Sequence, residues 1–221
     1  MDMVKKRTGK GLMNRFDLFV FDWDGTLSNV RFERALNERL NPFWMHRKSE
    51  QRIALEKGKR KEEDEERQIK ARTSIEGSFA PLVDLYFTFV KPKLGDGSLD
   101  VLKKLKKNGK KVALFTNAAE WRIHKELKLL GIEQYFDMVV SGQGIGAIKP
   151  SPKGLRYILD KLKVKKNRTL YSGDMTDDLI MAEYAGVPSC GMACGLDSYT
   201  RLEEMKPEYV FNDMKEFGDA L

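Results

Sequence analysis

The sequence predicts an α/β protein that has a parallel sheet with helices on both faces and a small inserted α-helical domain. Two observations support the sheet. A run of mostly apolar residues, Phe16–Phe21, ends at a pair of aspartates, and strand-like and helix-like segments alternate from Gly95 onward. Such alternation is typical of parallel sheets covered by helices. The third observation is a long stretch of helical and charged patterns between these two parts, which predicts the insert.

Length and composition limit the class of protein. A chain of 221 residues with 41% hydrophobic content can bury a core as one domain plus a small insert. No run of eighteen apolar residues occurs, so we predict no membrane partner. The two cysteines are too few for a disulfide framework or a structural zinc site. We therefore expect a cytoplasmic protein.

The net charge of +7 arises from 40 basic and 33 acidic residues. Basic clusters at Lys103–Lys111 and Lys161–Arg168 follow predicted helices, where cations complement the helix dipole. These clusters lack interleaved aromatic residues that would stack on bases. The sequence therefore does not favour nucleic-acid binding, and attraction of a small anionic substrate accounts for the charge. The sequence is also compatible with a homodimer.

The first predicted strand, Phe16–Phe21, ends at Asp22 and Asp24, which Gly25 follows. Ligands of open α/β sheets bind beside the carboxyl ends of the strands. There, Asp22 can act as a carboxylate nucleophile and Asp24 as a general acid and base. Two neighbouring carboxylates also suit Mg²⁺. An ordinary Asp-rich turn is the structural alternative.

The insert occupies residues 30–93. Val30–Trp44 has the spacing of an amphipathic helix, and residues 79–90 form a second apolar helical face. Between them, Arg47–Arg72 carries mixed charges, which indicate a solvated helix or, alternatively, a partner-binding arm. We predict a basic N-terminal arm at 1–15, a helical cap at 30–93, and a catalytic core formed by 16–29 with 94–221.

The remaining elements follow in strict alternation after the insert. They are a helix at Ser98–Asn108, a strand at Lys111–Phe115, a helix at Glu120–Leu130, a strand at Phe136–Val140, a helix at Lys153–Leu162, a strand at Thr169–Ser172, a helix at Leu179–Ala185 and a strand at Ser189–Met192. Right-handed crossovers bring the carboxyl ends of such strands to one rim of a Rossmann-like sheet.

Polar residues follow the later strands at that rim: Thr116 and Asn117, Lys149, and Asp174 with Asp177 and Asp178. A hydroxyl group, an ammonium group and several carboxylates together fit a phosphoryl group with Mg²⁺. Each motif also has a purely structural explanation, as a helix cap, a surface loop or an acidic first turn. Their joint occurrence in strand order favours the functional explanation.

These motifs resemble those of the haloacid dehalogenase-like (HAD) hydrolase superfamily, in its phosphoglycolate-phosphatase-like branch. The matching segments are DWDGT at Asp22–Thr26, FTN at Phe115–Asn117, Lys149-Pro150 and GDMTDD at Gly173–Asp178. A helical cap between the first motif and the second strand is also found in that branch. The resemblance implies a Mg²⁺-dependent phosphatase acting on a small phosphomonoester such as phosphoglycolate, a sugar phosphate or a nucleotide.

The resemblance also implies a role for each matching residue. Asp22 would form an aspartyl-phosphate, and Asp24 would protonate the leaving oxygen and then activate water. Thr116, the Asn117 backbone and Lys149 would bind the phosphoryl group. Asp22, the Asp24 carbonyl group and Asp174 would hold Mg²⁺, with support from Asp178, for which Asp177 is the reserve candidate.

Two alternative functions remain at this stage. A phosphomutase or phosphotransferase would use the same Asp22 and Asp24 but pass the phosphoryl group to a sugar hydroxyl. A nucleic-acid or partner-binding protein would use the basic surface and the charged insert, and it would have no need of a nucleophile beside an acid. The second aspartate also disfavours dehalogenase chemistry, which requires neither that acid nor magnesium.

Overall fold

The structure, a computed structural model, describes residues 11–29 and 92–221. Almost all of the predicted cap at 30–93 lies outside the described residues, and so does most of the predicted arm at 1–15. The predicted helices at Val30–Trp44 and 79–90 and the charged stretch Arg47–Arg72 lie outside them as well. The predicted division into domains therefore remains a prediction.

The described chain alternates between strands and helices. The strands are β1 (Leu18–Phe21), β2 (Lys111–Thr116), β3 (Met138–Ser141), β4 (Thr169–Gly173), β5 (Ser189–Met192) and β6 (Tyr209–Phe211). The α-helices are α1 (Leu12–Arg15), α2 (Ser98–Lys107), α3 (Glu120–Leu130), α4 (Lys153–Leu162), α5 (Thr176–Ala185), α6 (Tyr199–Glu204) and α7 (Met214–Ala220). Short 3-10 helices lie at Glu133–Tyr135 and Lys166–Arg168.

The six strands form one parallel sheet in the order β3-β2-β1-β4-β5-β6. The chain builds outward from β1 to β3, returns to β4 on the other side of β1, and builds outward again to β6. The order therefore reverses between β1 and β4, where Phe21 pairs with Ser172. Such a reversal opens a crevice at the carboxyl ends of the strands. The predicted parallel α/β sheet is confirmed.

Side chains of each strand alternate between two apolar cores, because successive residues of a strand point to opposite faces. In β1, Phe19 and Phe21 belong to one core, whereas Leu18 and Val20 belong to the other. The first core includes Val101 of α2 and Phe217 of α7, and the second includes Leu155 of α4 and Met181 of α5. Helices thus cover both faces of the sheet, as predicted.

The C-terminal elements β6, α6 and α7 were not predicted. Their strand has three residues, which is too short for an alternating pattern to be recognised. In the structure, the Phe217 ring packs edge-on against three other aromatic rings, with centroid distances of 6.3 Å to Phe19, 5.7 Å to Phe21 and 5.6 Å to Phe211. The last helix therefore closes the same core that β1 begins.

Several elements differ from their predicted bounds, and β1 and β3, for example, each begin two residues later than predicted, at Leu18 and Met138. Helix α5 begins at Thr176, three residues before the predicted start at Leu179, because the Asp178 carboxylate accepts a 3.1 Å hydrogen bond from the Met175 N–H and caps the helix. At the other end of the chain, Leu12 of the predicted arm lies in α1 and is buried. Within the described residues, none of the helices is long and apolar enough to span a bilayer.

Gly154 generates a prediction about packing. A β-carbon at this position of α4 would lie 2.1 Å from Cζ of Phe115, which is itself fully buried. We expect Gly154→Ala to lower the free energy of unfolding by about 1–3 kcal/mol, because the core has no space for the added methyl group. Urea denaturation measures the change. Gly218→Ala, whose β-carbon would lie 3.2 Å from Val101, is the milder control, and equal losses in both variants would contradict the account.

Candidate active site

Three carboxylates meet in the crevice between β1 and β4. Asp22 follows β1, Asp174 follows β4, and Asp178 lies in the first turn of α5. Their nearest oxygens lie within 4.8 Å of one another, and all three residues are buried. Three buried carboxylates this close repel one another strongly unless cations or protons compensate them.

The local backbone fixes two of these carboxylates. The Asp22 N–H donates a 2.9 Å hydrogen bond to the Ser172 carbonyl oxygen, so the pairing of β1 with β4 extends one residue into the site. The Asp178 carboxylate caps α5 and lies against Gly173, where a β-carbon would be 2.3 Å from Cγ of Asp178. A side chain at position 173 would therefore displace the carboxylate.

Lys149 supplies the compensating positive charge. Its ammonium group forms an ion pair with Asp22 and a second one, 2.8 Å long, with Asp178. The Phe115 and Tyr171 rings lie beside the same ammonium group, with their centroids 5.6 and 5.5 Å from Nζ. Lys149 is therefore held between two carboxylates and two aromatic rings in a buried position.

The pKa values in the site follow from this arrangement. Burial raises the pKa of Asp22 to about 7, although the ammonium group of Lys149 opposes the shift. Burial alone would lower the pKa of Lys149, but the Asp178 and Asp22 carboxylates raise it above its usual range. Burial and the Asp178 carboxylate also raise the pKa of Tyr171, so its hydroxyl group stays protonated and donates a 2.8 Å hydrogen bond to Asp178.

The Asp174 carboxylate is suited to act as a metal ligand. Its Oδ2 accepts a 2.7 Å hydrogen bond from the Leu196 N–H, whereas Oδ1 is buried without a hydrogen-bond partner among residues 11–29 and 92–221. Burial and the nearby Asp22 and Asp178 carboxylates raise the pKa of Asp174 well above its usual range. A divalent cation beside Oδ1 would satisfy this oxygen and relieve the repulsion.

Two glycines allow the backbone to approach Asp174 closely. A β-carbon at Gly25 or Gly195 would lie 2.3 or 1.9 Å from Oδ2 of Asp174. Gly25 also has a φ of 84°, which residues with a side chain rarely adopt. These contacts confine the carboxylate to one orientation, so the three-carboxylate group could hold a metal ion.

Thr116 and Asn117 lie at the end of β2, beside the lysine. The Thr116 hydroxyl oxygen accepts a 3.0 Å hydrogen bond from the Ala118 N–H. The Asn117 side-chain oxygen accepts a 2.9 Å hydrogen bond from the Lys149 N–H and so fixes the loop that carries Lys149. The structure thus brings the predicted residues of the second and third motifs together.

The side chain of Asp24 has a different partner, which the sequence analysis missed. Arg122 of α3 donates from both terminal nitrogens to the Asp24 carboxylate, at 2.7 and 3.3 Å. Its Nε donates a 2.6 Å hydrogen bond to Glu126, and the Trp23 Nε1–H donates to the other oxygen of Glu126. Burial raises the pKa of Glu126, an effect that the Arg122 charge opposes. The i,i+4 spacing of Arg122 and Glu126 is visible in the sequence, but their approach to Asp24 depends on tertiary structure.

The structure also distinguishes the adjacent aspartates of the fourth motif. Asp178 is buried and belongs to the three-carboxylate group, whereas Asp177 is only half-buried. The spacing G-D-x-x-x-D therefore leads to the carboxylate that belongs to this group.

Comparisons with known proteins agree with this architecture. A family model described as haloacid dehalogenase-like hydrolase matches residues 19–192. The chain is 32% identical to the pyrophosphatase PpaX of Bacillus mycoides (strain KBAB4) over 53% of this chain and 54% of that protein. It is also 32% identical to the phosphoglycolate phosphatase of Pasteurella multocida (strain Pm70) over 51% of this chain and 50% of that protein. The chain thus spans about half the length of these curated relatives.

Solved structures share the fold. A crystal structure described as a predicted phosphoglycolate phosphatase from Haemophilus somnus 129pt covers 91% of this chain and 96% of its own, with a TM-score of 0.67 and 22% identity. At this level of identity, the likeness establishes the fold.

The double ion pair of Lys149 generates a prediction about stability. Replacing Lys149 by Met leaves two buried carboxylates without their cation. We therefore expect a loss of about 3–5 kcal/mol in the free energy of unfolding at pH 8 in the presence of EDTA. The same change raises the folded-state pKa of Asp22 further. Because a raised carboxyl pKa destabilises the fold only above the pKa of the unfolded chain, the loss should shrink toward pH 5.

Denaturant titrations at the two pH values measure this effect. Lys163→Met is the matched control, since Lys163 pairs with Asp160 on the surface, where both side chains are more than 70% exposed, and such pairs contribute at most about 1 kcal/mol. Similar losses in both variants, or no difference between pH 8 and pH 5, would contradict the assigned role of Lys149.

Proposed function

We propose a reaction for this chain from the premise that it belongs to the haloacid dehalogenase-like hydrolase family, whose model matches residues 19–192. The reaction is Mg²⁺-dependent hydrolysis of a small phosphomonoester through an aspartyl-phosphate intermediate. The observation that carries the proposal is the buried group of Asp22, Asp174 and Asp178 with Lys149 between two of them. A merely structural cluster of this kind would be costly to bury.

In the first step, an oxygen of Asp22 attacks phosphorus and the bond to the leaving oxygen breaks. Asp24 donates a proton to that oxygen, so the product leaves as an alcohol. In the second step, Asp24 accepts a proton from water as the water oxygen attacks phosphorus. The bond between phosphorus and Asp22 breaks, which regenerates the Asp22 carboxylate and releases inorganic phosphate.

The remaining oxygens of the phosphoryl group require donors at fixed positions. Lys149 lies beside Asp22 and carries a positive charge. The Thr116 hydroxyl and the Asn117 N–H complete the proposed cradle, since both lie at the end of β2, next to β1. Fixed donors of this kind stabilise charge that develops during phosphoryl transfer.

Mg²⁺ fits Oδ1 of Asp174, which has no hydrogen-bond partner among the described residues, and the hard oxygen donors around it. Asp22, Asp174 and the main-chain carbonyl group of Asp24 would hold the ion, and Asp178 would support it from behind. When bound, the ion neutralises phosphate charge and orients the phosphoryl group for attack by Asp22.

The substrate class follows from the charge of this site and from the relatives. The names of the two relatives describe a pyrophosphatase and a phosphoglycolate phosphatase, and we propose a small phosphorylated metabolite as the substrate of this chain. A phosphomutase would use the same residues. Release of inorganic phosphate, compared with formation of an isomer, separates the two reactions. The cytoplasmic location and the homodimer remain predictions.

The role of Asp22 is tested by phosphate release from a panel of phosphomonoesters in the presence of Mg²⁺. We expect Asp22→Asn to reduce turnover by at least about a thousandfold, because it removes the nucleophile, and EDTA to abolish the wild-type activity. Asp177→Asn is the matched control and should retain activity, since Asp177 lies outside the three-carboxylate group. Equal activity of Asp22→Asn and the wild type would contradict the proposal.

The raised pKa of Asp22 predicts how Mg²⁺ binding depends on pH. The ion binds the carboxylate form, and the protonated fraction of Asp22 grows as the pH falls below about 7. We therefore expect the affinity for Mg²⁺ to fall about tenfold or more between pH 8 and pH 6, because a proton must be released on binding. Isothermal titration calorimetry measures this change, and an affinity that is the same at both pH values would exclude the proposed ligand set.

A further inference from the structure

Arg122 connects the proposed acid–base residue to a buried carboxylate of α3. We propose that Arg122 is a positioning residue for Asp24, and that Glu126 and Trp23 anchor it. This inference rests on the proposed function, because it assigns Arg122 a role through the proton transfers of Asp24. Arg122 and Glu126 themselves lie outside the four motifs.

The contact between Arg122 and Asp24 is bidentate. Nη2 lies 2.7 Å from Oδ1 and Nη1 lies 3.3 Å from Oδ2 of the carboxylate. Two parallel N–H···O contacts between planar groups fix orientation as well as distance. The Asp24 side chain is 31% exposed, so packing restrains it only in part. The guanidinium group supplies the restraint.

Arg122 is itself restrained from the protein interior. Its Nε donates to Oε1 of Glu126 at 2.6 Å, and that carboxylate is almost fully buried. The other oxygen, Oε2, accepts a hydrogen bond from the indole N–H of the buried Trp23. Both oxygens of Glu126 therefore accept hydrogen bonds, Oε2 from Trp23 and Oε1 from Arg122.

The four residues form a closed network. Trp23 and Asp24 are consecutive in the loop after β1, and Arg122 and Glu126 lie one turn apart on α3. One link joins Trp23 to Glu126, and the other joins Asp24 to Arg122. The loop that carries the nucleophile and the acid is therefore tied to α3 at two successive residues. These links explain why a carboxylate is buried at position 126, where an apolar residue would otherwise require less free energy to bury.

The consequence concerns the transfer of a proton to the leaving oxygen. A general acid contributes about 10²–10⁴-fold to rate, and a displacement of about 1 Å can remove about 10²-fold. An alkyl phosphomonoester needs that proton because its alkoxide is a poor leaving group. The aryl ester p-nitrophenyl phosphate does not, because its phenolate leaves unprotonated.

The test compares kcat/KM for these two substrates, since kcat/KM includes the step in which the leaving group departs. The alkyl substrate is the one that ranks first in the phosphomonoester panel. The variants are Arg122→Gln, Arg122→Lys, Glu126→Gln and the double variant Arg122→Gln/Glu126→Gln, with Asp24→Asn as the reference. Arg156→Gln is the matched control, because its guanidinium group bonds the Tyr184 carbonyl oxygen on α5, under the other face of the sheet.

We expect Arg122→Gln to lower kcat/KM about 10–100-fold for the alkyl ester and less than about threefold for the aryl ester. Asp24→Asn should show the same selectivity with a larger effect. Arg122→Lys should restore little, because an ammonium group lacks the planar fork. The double variant should lose no more than Arg122→Gln alone, because a Gln oxygen at position 126 can still accept from the Trp23 N–H and the lost carboxylate charge acts through Arg122.

Three results would overturn the inference while leaving the proposed function intact. These are equal losses for both substrates, a change confined to KM, and losses in the two single variants that multiply in the double variant. If the wild type hydrolysed neither ester, the proposed function would fail, and the inference with it. Wild-type activity therefore separates the two failures.

Discussion

The repulsion between three buried carboxylates is the constraint on which the rest of the site depends. Asp22, Asp174 and Asp178 each place one carboxylate oxygen within 4.8 Å of the others, beside the carboxyl ends of β1 and β4. Lys149 offsets part of that repulsion through its ion pairs with Asp22 and Asp178. Within the described part of the chain, Oδ1 of Asp174 is buried without a hydrogen-bond partner. A divalent cation there would supply the missing positive charge and, with it, favour an anionic substrate.

The sheet produces this concentration of charge through its topology. The reversal of strand order between β1 and β4 brings Asp22 and Asp174 side by side, although about 150 residues separate them in sequence. Glycines then allow the surrounding backbone to approach the carboxylates, at Gly173 against Asp178 and at Gly25 and Gly195 against Asp174. The apolar cores on both faces hold these chain segments in place. Packing elsewhere in the fold therefore offsets the unfavourable free energy of bringing the carboxylates together.

The sequence was informative where a local pattern carries the structural signal. Buried strands followed by polar residues predicted β1 to β5 and the rim, because period and position are properties of short segments. β6 has three residues and no such pattern. Arg122 and Glu126 were missed for a different reason: on α3 they resemble an ordinary i,i+4 surface pair, and only tertiary structure shows that Glu126 is buried against Trp23 and that Arg122 reaches Asp24. Charge networks that cross between elements leave little trace in local sequence.

The central claim is that Asp22 becomes phosphorylated during turnover. Rapid acid quenching of the Asp24→Asn variant with p-nitrophenyl phosphate and Mg²⁺, followed by peptide mass spectrometry, tests it directly. This ester needs no acid to form the intermediate, and loss of the general base should let the intermediate accumulate. We expect the peptide that contains Asp22 to gain the mass of one phosphoryl group. Release of phosphate during the same reaction without any modification of that peptide, or a phosphoryl group on a different residue, would contradict the account.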